Sequence, residues 1–481
     1  MKALPSLNRI KAFLSAPGTI LLYGLMVLCY QAAYCIVPLR AIIGLSFLHW
    51  VSPALAVGGI GLLLLNLMVN PRRLLSRQML IPWLLMLALC LSTAFNPDRG
   101  LTDNIKLILW QGNLMLLLFS ACLAWGERDT VQSLPKAAHW LLVGLALLWD
   151  GAILWSLVLF FARRYHLVPS VGGVFHQGLF EGRLFGIFTT PYSAALLSFL
   201  FALVWSFLAV KHSGWKRLFW WCSVGLAVTM LVLTGTRTVF LGGAFSLFIL
   251  LWMALRDKQG FTLRGRSLRV SGALAPLLAL AAVGCLVLLL WSYTLGLKAL
   301  AAQSPAVETQ GQGDLERPDT HSGDMSNNRF AIWRDYAQVF FDHPEKMLLG
   351  YSPQGYMPFI DENYPDLFIV GYFKIKFAYD YENLHTIYAP HNALMAVIMS
   401  TGLVGLALVL SLASWLLVRV LRRYARVGLA PEEYVLFGVL LTMAVALMLE
   451  SDVFFVCNSS SVVFWSSLGL LLGRCKDGKT V

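Results

Sequence analysis

The chain has 481 residues, of which 58% are hydrophobic and only 13% charged, with 37 Lys and Arg against 25 Asp and Glu for a formal net charge of +12. Soluble domains carry about twice that share of charge. A soluble globule, a coiled coil, an intrinsically disordered chain and a disulfide-stapled secreted domain are therefore excluded, leaving a polytopic membrane protein.

The positive balance is not a nucleic-acid signature, because Lys and Arg cluster in short segments between apolar runs. A helix needs about 20 apolar residues to cross hydrocarbon. That template predicts about twelve transmembrane helices, near 17–37, 48–69, 79–95, 105–125, 139–161, 191–210, 218–235, 238–255, 271–296, 391–418, 432–450 and 460–473. Leu, Val and Ala dominate with Gly scattered through, which favours helices over an alternating barrel. The expected class is all-α. The basic N-terminus leads into apolar sequence without a small-residue cleavage site, the pattern of a retained signal-anchor. The eight cysteines show neither zinc-type nor redox spacing, so no metal, cofactor or disulfide framework is expected.

Of the 37 basic residues, 23 fall at the N-terminus, in the even loops and in the tail. By the positive-inside rule both termini are cytoplasmic and the odd loops face outward. The chain then divides into spans one to nine (1–296), an outward cap loop (297–390), and spans ten to twelve with a cytoplasmic tail (391–481). The loop holds thirteen acidic and seven basic residues. Its first part, Gln303–Asp324, is polar, Gly/Pro-punctuated and expected to be mobile. Beyond it, Phe330, Trp333, Ala337 and Phe340/Phe341 recur at helical spacing after a cap at Ser326 or Asn327, and His343-Pro344 ends the helix.

Four outward features do not suit a passive bundle. They are Arg183 in Glu181-Gly-Arg-Leu-Phe-Gly-Ile-Phe-Thr-Thr-Pro191; Arg237 in the turn Thr234-Gly-Thr-Arg; Arg329 with Trp333, followed by Pro344 and Gly350; and His391-Asn392 ahead of Gly402-Leu-Val-Gly405. Each has a bland counterpart. Arginine at a helix end snorkels to headgroups, as is expected of Arg163 and Arg164. A histidine at a helix start caps, and paired glycines let helices pack closely. His176, His321, Glu450 and Asp452 lack a supporting pattern and are read as structural. Arg237 resists the bland reading, since so short a turn holds its guanidinium against the bundle, where charge is costly.

Together the outward arginines and histidine suit a phosphorylated lipid and a proton transfer. Arginine offers a rigid, permanently charged fork for phosphate, and imidazole is a general base near neutral pH. A transferase on the outer side has no ATP and needs a donor activated beforehand. A polyprenyl diphosphate-linked sugar meets that need.

Arg183-Leu-Phe-Gly186 with Pro191, the Thr236-Arg237 turn, the Arg329, Trp333, Pro344, Gly350 order, and His391-Asn392 separated by nine residues from Gly402-Leu-Val-Gly405 resemble the O-antigen ligase and polymerase superfamily of bacterial inner-membrane glycosyltransferases. The resemblance runs from about 180 to 410. Tyr192 departs from it where relatives commonly carry Asn, and Thr236 stands where many have Ser. It implies a GT-C-like fold with a periplasmic loop carrying short helices. It also implies metal-independent, inverting transfer of a glycan from undecaprenyl diphosphate to an acceptor hydroxyl, with membrane lipids around it and no nucleic acid. In that scheme Arg183 and Arg237 bind the diphosphate, His391 is catalytic, and Arg329 and Asn392 position substrate or acceptor.

The acceptor separates two readings of the same chemistry. A ligase uses lipid A-core, toward which the His-Asn spacing tilts, whereas a polymerase uses a second lipid-linked glycan; protein glycosylation is a third variant. A transporter or flippase is the alternative of another class. It predicts inverted halves with matching broken helices, against which the single late loop counts.

Overall fold

The computed structural model describes residues 7–127, 136–170, 173–257, 261–263, 266–268, 270, 272–305, 314–315, 328–376, 390–451 and 453–476. Helices dominate. Among the described residues nine are long and apolar enough to cross a membrane: Phe47–Val69, Arg77–Ala94, Leu101–Gly126, Lys136–Phe161, Pro191–Lys211, Gly214–Thr234, Arg237–Arg256, Leu274–Ala301 and Ala393–Val427. Each coincides with an expected span. At the other three expected positions stand the shorter helices Pro17–Tyr34, Pro431–Leu447 and Ser459–Arg474. Leu101–Gly126 runs through the middle of the bundle, with 83% of its apolar window buried, whereas Leu274–Ala301, at 17%, lies on the periphery.

The inter-helix connections sort into two ends. At one end Glu127 pairs with Lys476, Arg423 with Glu433, and Asp257 accepts from Tyr434 Oη. The other end carries the loop helices and is called the cap end below. Between the two, Trp149, Trp205, Trp220 and Trp465 are fully buried. Trp149 satisfies its indole N–H on Ser198 Oγ at 3.0 Å and packs against Phe188 and Phe201, as a buried indole requires.

The chain is mostly helical as expected, but two small antiparallel sheets among the described residues interrupt the all-α class; one is the two-stranded pair Phe261–Leu263 and Arg266–Leu268. Between the Lys136–Phe161 and Pro191–Lys211 helices the chain forms a three-stranded antiparallel sheet, β1 Tyr165–Ser170, β2 Gly173–Phe180 and β3 Arg183–Gly186. Glu181 and Gly182 join β2 to β3 with φ of 48° and 65°, the two positive values of a tight hairpin turn. Tyr165, His176, Phe180 and Phe185 stack in one cluster. The segment is too short and too often interrupted by Pro169 and the glycines to announce its alternation. Ile187 N–H donates to Ser156 Oγ and Val37 N–H to Ile187 O, which locks the sheet onto the bundle.

A second feature departs from the plain-helix expectation. Ala393–Val427 is broken at Gly402, whose φ is 64° and ψ −160°. Carbonyls released by the break, Met399 O and Ser400 O, accept from Tyr351 and Ser352 N–H. Leu403 and Val404 N–H donate to Met347 and Leu348 O. The cap loop thus threads into the helix, and every freed backbone group named here finds a partner, as a low-dielectric surround demands. Gly350, with φ of 70°, faces this break so closely that a Cβ would lie 2.7 Å from Met399 O. Gly402 is therefore a backbone joint rather than a small residue for helix packing.

The described part of the cap has its own apolar cluster, built from Ile332, Tyr336, Val339, Tyr351, Phe359 and Ile360 among others. Its first helix is Arg329–Asp342, ended by His343 and Pro344 as expected, but its N-cap is Asn328. Ser326, Asn327, His321, Asp452 and most of Gln303–Asp324 lie outside the described residues.

Candidate functional site

Arg183 opens β3, and its hairpin aims it at the turn between Gly214–Thr234 and Arg237–Arg256. That turn spends three residues. Gly235 takes the left-handed φ of 60° that ends a helix, Thr236 is the N-cap, and Arg237 begins the next helix. Arg183 Nε donates to Thr234 O at 3.1 Å, a helix-terminal carbonyl, and its Nη2 reaches Thr236 Oγ1 at 3.5 Å. Thr236 Oγ1 in turn donates to Pro191 O. Gly186 has φ of 61° and presses against Ser156, so the Arg-x-x-Gly spacing sets both the strand and its seat. Tyr192 is buried in the bundle core. Arg237 is exposed. Two guanidiniums and the positive end of a helix dipole therefore share one locus, which is a physical description of an anion site.

The imidazole belongs to a second cluster. His391 adopts a left-handed φ of 46°, an uncommon conformation for a non-glycine residue. Asn392 follows as N-cap: its Oδ1 accepts from Met395 N–H, and its Nδ2 donates to Met448 O, both at 3.0 Å. Asn392 thus shapes the helix start and ties it to the end of Pro431–Leu447. His391 Nδ1 donates to Glu450 Oε2 at 2.9 Å, and Glu450 Oε1 accepts from Arg329 Nη2 at 2.6 Å. Arg329 Nε also holds Leu449 O at 3.1 Å. One helical turn further on, Trp333 Nε1 donates to Pro390 O at 2.9 Å, next to the histidine. The Arg-Trp spacing is thereby explained, since both side chains of one helix face grip the segments that carry His391 and Glu450.

Burial grades this triad. Side-chain exposure is 14% for Glu450, 17% for Arg329 and 34% for His391, so the imidazole is the most accessible member. A carboxylate beside Arg329 is an acceptor only, so Nδ1 carries the ring proton and Nε2 is the basic nitrogen. Glu450, for which the sequence offers no pattern beyond a structural one, stands between Arg329 and His391. Arg163, expected at headgroups, donates to Ser304 O.

The two clusters share the cap end. Arg237–Arg256 and Pro431–Leu447 run against each other, and a Cβ on Gly242 would lie 2.8 Å from Thr442 O. Arg237 is five residues above that contact, about 7.5 Å at 1.5 Å per residue. The same rise on the partner helix, which runs the opposite way, reaches the segment Leu447–Ser451.

Residues 222–410 match the family described as O-antigen ligase. That segment is similar to the O-antigen ligase superfamily. Arg237, Arg329, His391, Asn392 and the Gly402 joint all lie within it. Arg183 and Glu450 lie outside it and join it through the hydrogen bonds to Thr234 and His391. No curated protein matches the chain. The O-antigen ligase superfamily is associated with glycosyltransferase-like ligation or polymerisation on lipid-linked glycans, and the membrane-length helices agree with a multi-pass protein.

Proposed function

We propose that the protein is a twelve-span inner-membrane glycosyltransferase with both termini cytoplasmic and its site at the periplasmic face. It transfers a glycan from an undecaprenyl diphosphate-linked donor to an acceptor hydroxyl, and lipid A-core is the acceptor, making it an O-antigen ligase. The observation that carries this reading is the His391–Glu450–Arg329 chain at the same end of the bundle as the Arg183–Arg237 locus.

The chemistry runs between the two clusters. His391 Nε2 takes the proton of the acceptor hydroxyl, and Glu450 steadies the imidazolium that forms, as a carboxylate does in a hydrolase triad. The acceptor oxygen attacks the anomeric carbon from the face opposite the diphosphate, and the bond to the diphosphate breaks with inversion. Arg183, Arg237 and the helix N-terminus receive the negative charge of the leaving group, so no metal ion is required for it. Arg329, whose charge is matched by Glu450, acts through that carboxylate. Asn392 sets the histidine's approach by fixing the helix start.

Purified protein reconstituted with a lipid-linked donor tests the proposal. Glycan joined to lipid A-core is the expected product. Chain growth on the lipid carrier alone would make the enzyme a polymerase. Movement of donor across the bilayer with no glycosidic bond formed would overturn the transferase reading.

A further inference from the structure

Beside the loop that threads into the Gly402 break lies a cavity of about 60 Å³, bordered by Phe95, Asp98, Arg99, Lys346, Tyr351 and Phe359. That is room for about two waters or one small anionic group. Asn96 organises it. Both of its amide hydrogens are committed, to Ser92 O at 2.7 Å and Gly350 O at 3.2 Å, so its Oδ1 is turned to Lys346 Nζ at 2.6 Å. Lys346 is thereby held by a neutral acceptor. Among the described residues no carboxylate forms an ion pair with it, whereas Arg99 is matched by Glu362. Arg99 lies over the Phe359 ring at 5.1 Å, and Tyr351 packs on the same ring at 4.6 Å. Phe95 is 66% exposed at the rim.

An ammonium oriented by a neutral amide, with no carboxylate in ion-pair contact among the described residues, beside an open aromatic face suits a sugar that bears an acid: the ring lies on the aromatic surface, and the acid takes a charge-assisted hydrogen bond. We propose that this cavity is a subsite for an anionic saccharide unit, a uronate carboxylate or a sugar phosphate, seated on Lys346 with its ring against Phe95. The subsite rests on the glycan-transfer reading only for its place in the reaction. Tyr351 pairs with Met399, which stands eight residues after His391, about 12 Å along the helix. The subsite therefore takes a unit other than the one being joined.

The test is calorimetric titration of the full-length protein in phosphatidylcholine nanodiscs with a hyaluronan tetrasaccharide, glucose 1-phosphate and neutral maltotetraose. The acidic probes are expected to bind more tightly than maltotetraose. Lys346→Gln weakens them about tenfold, Lys346→Arg largely retains them, and His391→Ala binds as wild type. Should Lys346→Gln fail to fold, Asp98→Asn serves instead and is expected to tighten the acidic probes. Equal affinity for neutral and acidic probes, or indifference to either charge change, overturns the proposal. So does loss of binding when phosphatidylglycerol is added to the discs, which would make the cavity a lipid-headgroup seat. Failure of wild-type protein to transfer glycan while these titrations hold would sink the transferase reading and leave the subsite standing.

Discussion

Glu450 Oε2 lies 2.9 Å from His391 Nδ1, and its other oxygen is tied to Arg329. One carboxylate thereby sets both the tautomer and the orientation of the imidazole. Its removal has two separable consequences. Glu450→Gln keeps the shape but no longer stabilises an imidazolium, so transfer is expected to fall about 10²-fold or more, with the donor KM little changed. Glu450→Ala also leaves Arg329 without its partner, and lowers thermal stability by about 1–3 kcal/mol. Transfer kinetics and unfolding in detergent check the two together. His391→Ala should abolish transfer to a similar or greater degree while melting near the wild-type temperature.

Arg183 and Arg237 differ in what else they hold. Arg183 braces Thr234 O and Thr236, so Arg183→Ala is expected to cost both donor binding and stability. Arg237→Ala, at an exposed helix start, should raise the donor KM and lower kcat with little change in melting. Arg237→Lys recovers part of the activity, since a point charge replaces the fork incompletely.

The interlock of the cap with the broken helix is sensitive to one methyl group. Gly402→Ala places a Cβ against Leu348 in a backbone conformation that L-residues disfavour, costing about 2–4 kcal/mol from the left-handed strain and overpacking together. The expected readout is faster protease cleavage within residues 297–390 and a lower melting temperature. Gly350→Ala should do the same, and the double variant should cost less than the sum because both act on one contact.

Burial among aromatic rings lowers the pKa of His176 from its ordinary 6.5. The unfolded chain then binds a proton that the folded sheet does not, over the interval between the two values. Stability of the sheet is full above about pH 6.5 and falls as pH drops through that interval. Hydrogen exchange of residues 165–186 is expected to quicken at pH 5 relative to pH 7.5, and His176→Gln should flatten the difference.

The membrane-length helices were legible because apolar runs are local signals, and the arginines of the candidate site stood out as charges beside such runs. Glu450 was not, because Leu449-Glu450-Ser451 carries no pattern and its partners lie 59 and 121 residues away. The available hint was a lone carboxylate at the end of an apolar run, where charge is costly without a purpose. The hairpin carrying Arg183 was hidden for a different reason. Its alternation spans few residues and is broken by Pro169 and Gly178, so only the Arg-x-x-Gly motif stood out. Gly402 was visible as a residue, but composition does not distinguish a glycine needed for close packing from one needed for positive φ.

The strand-like stitching of residues 347–352 into 399–404 has a consequence for biogenesis. During synthesis the loop leaves the ribosome about fifty residues before the helix segment that must receive it. Until the Ala393–Val427 helix is inserted, those backbone groups have only water or chaperones as partners. A nascent chain halted before residue 405 should therefore present an unlatched cap, and the His391–Glu450–Arg329 cluster forms only once Glu450 has been translated.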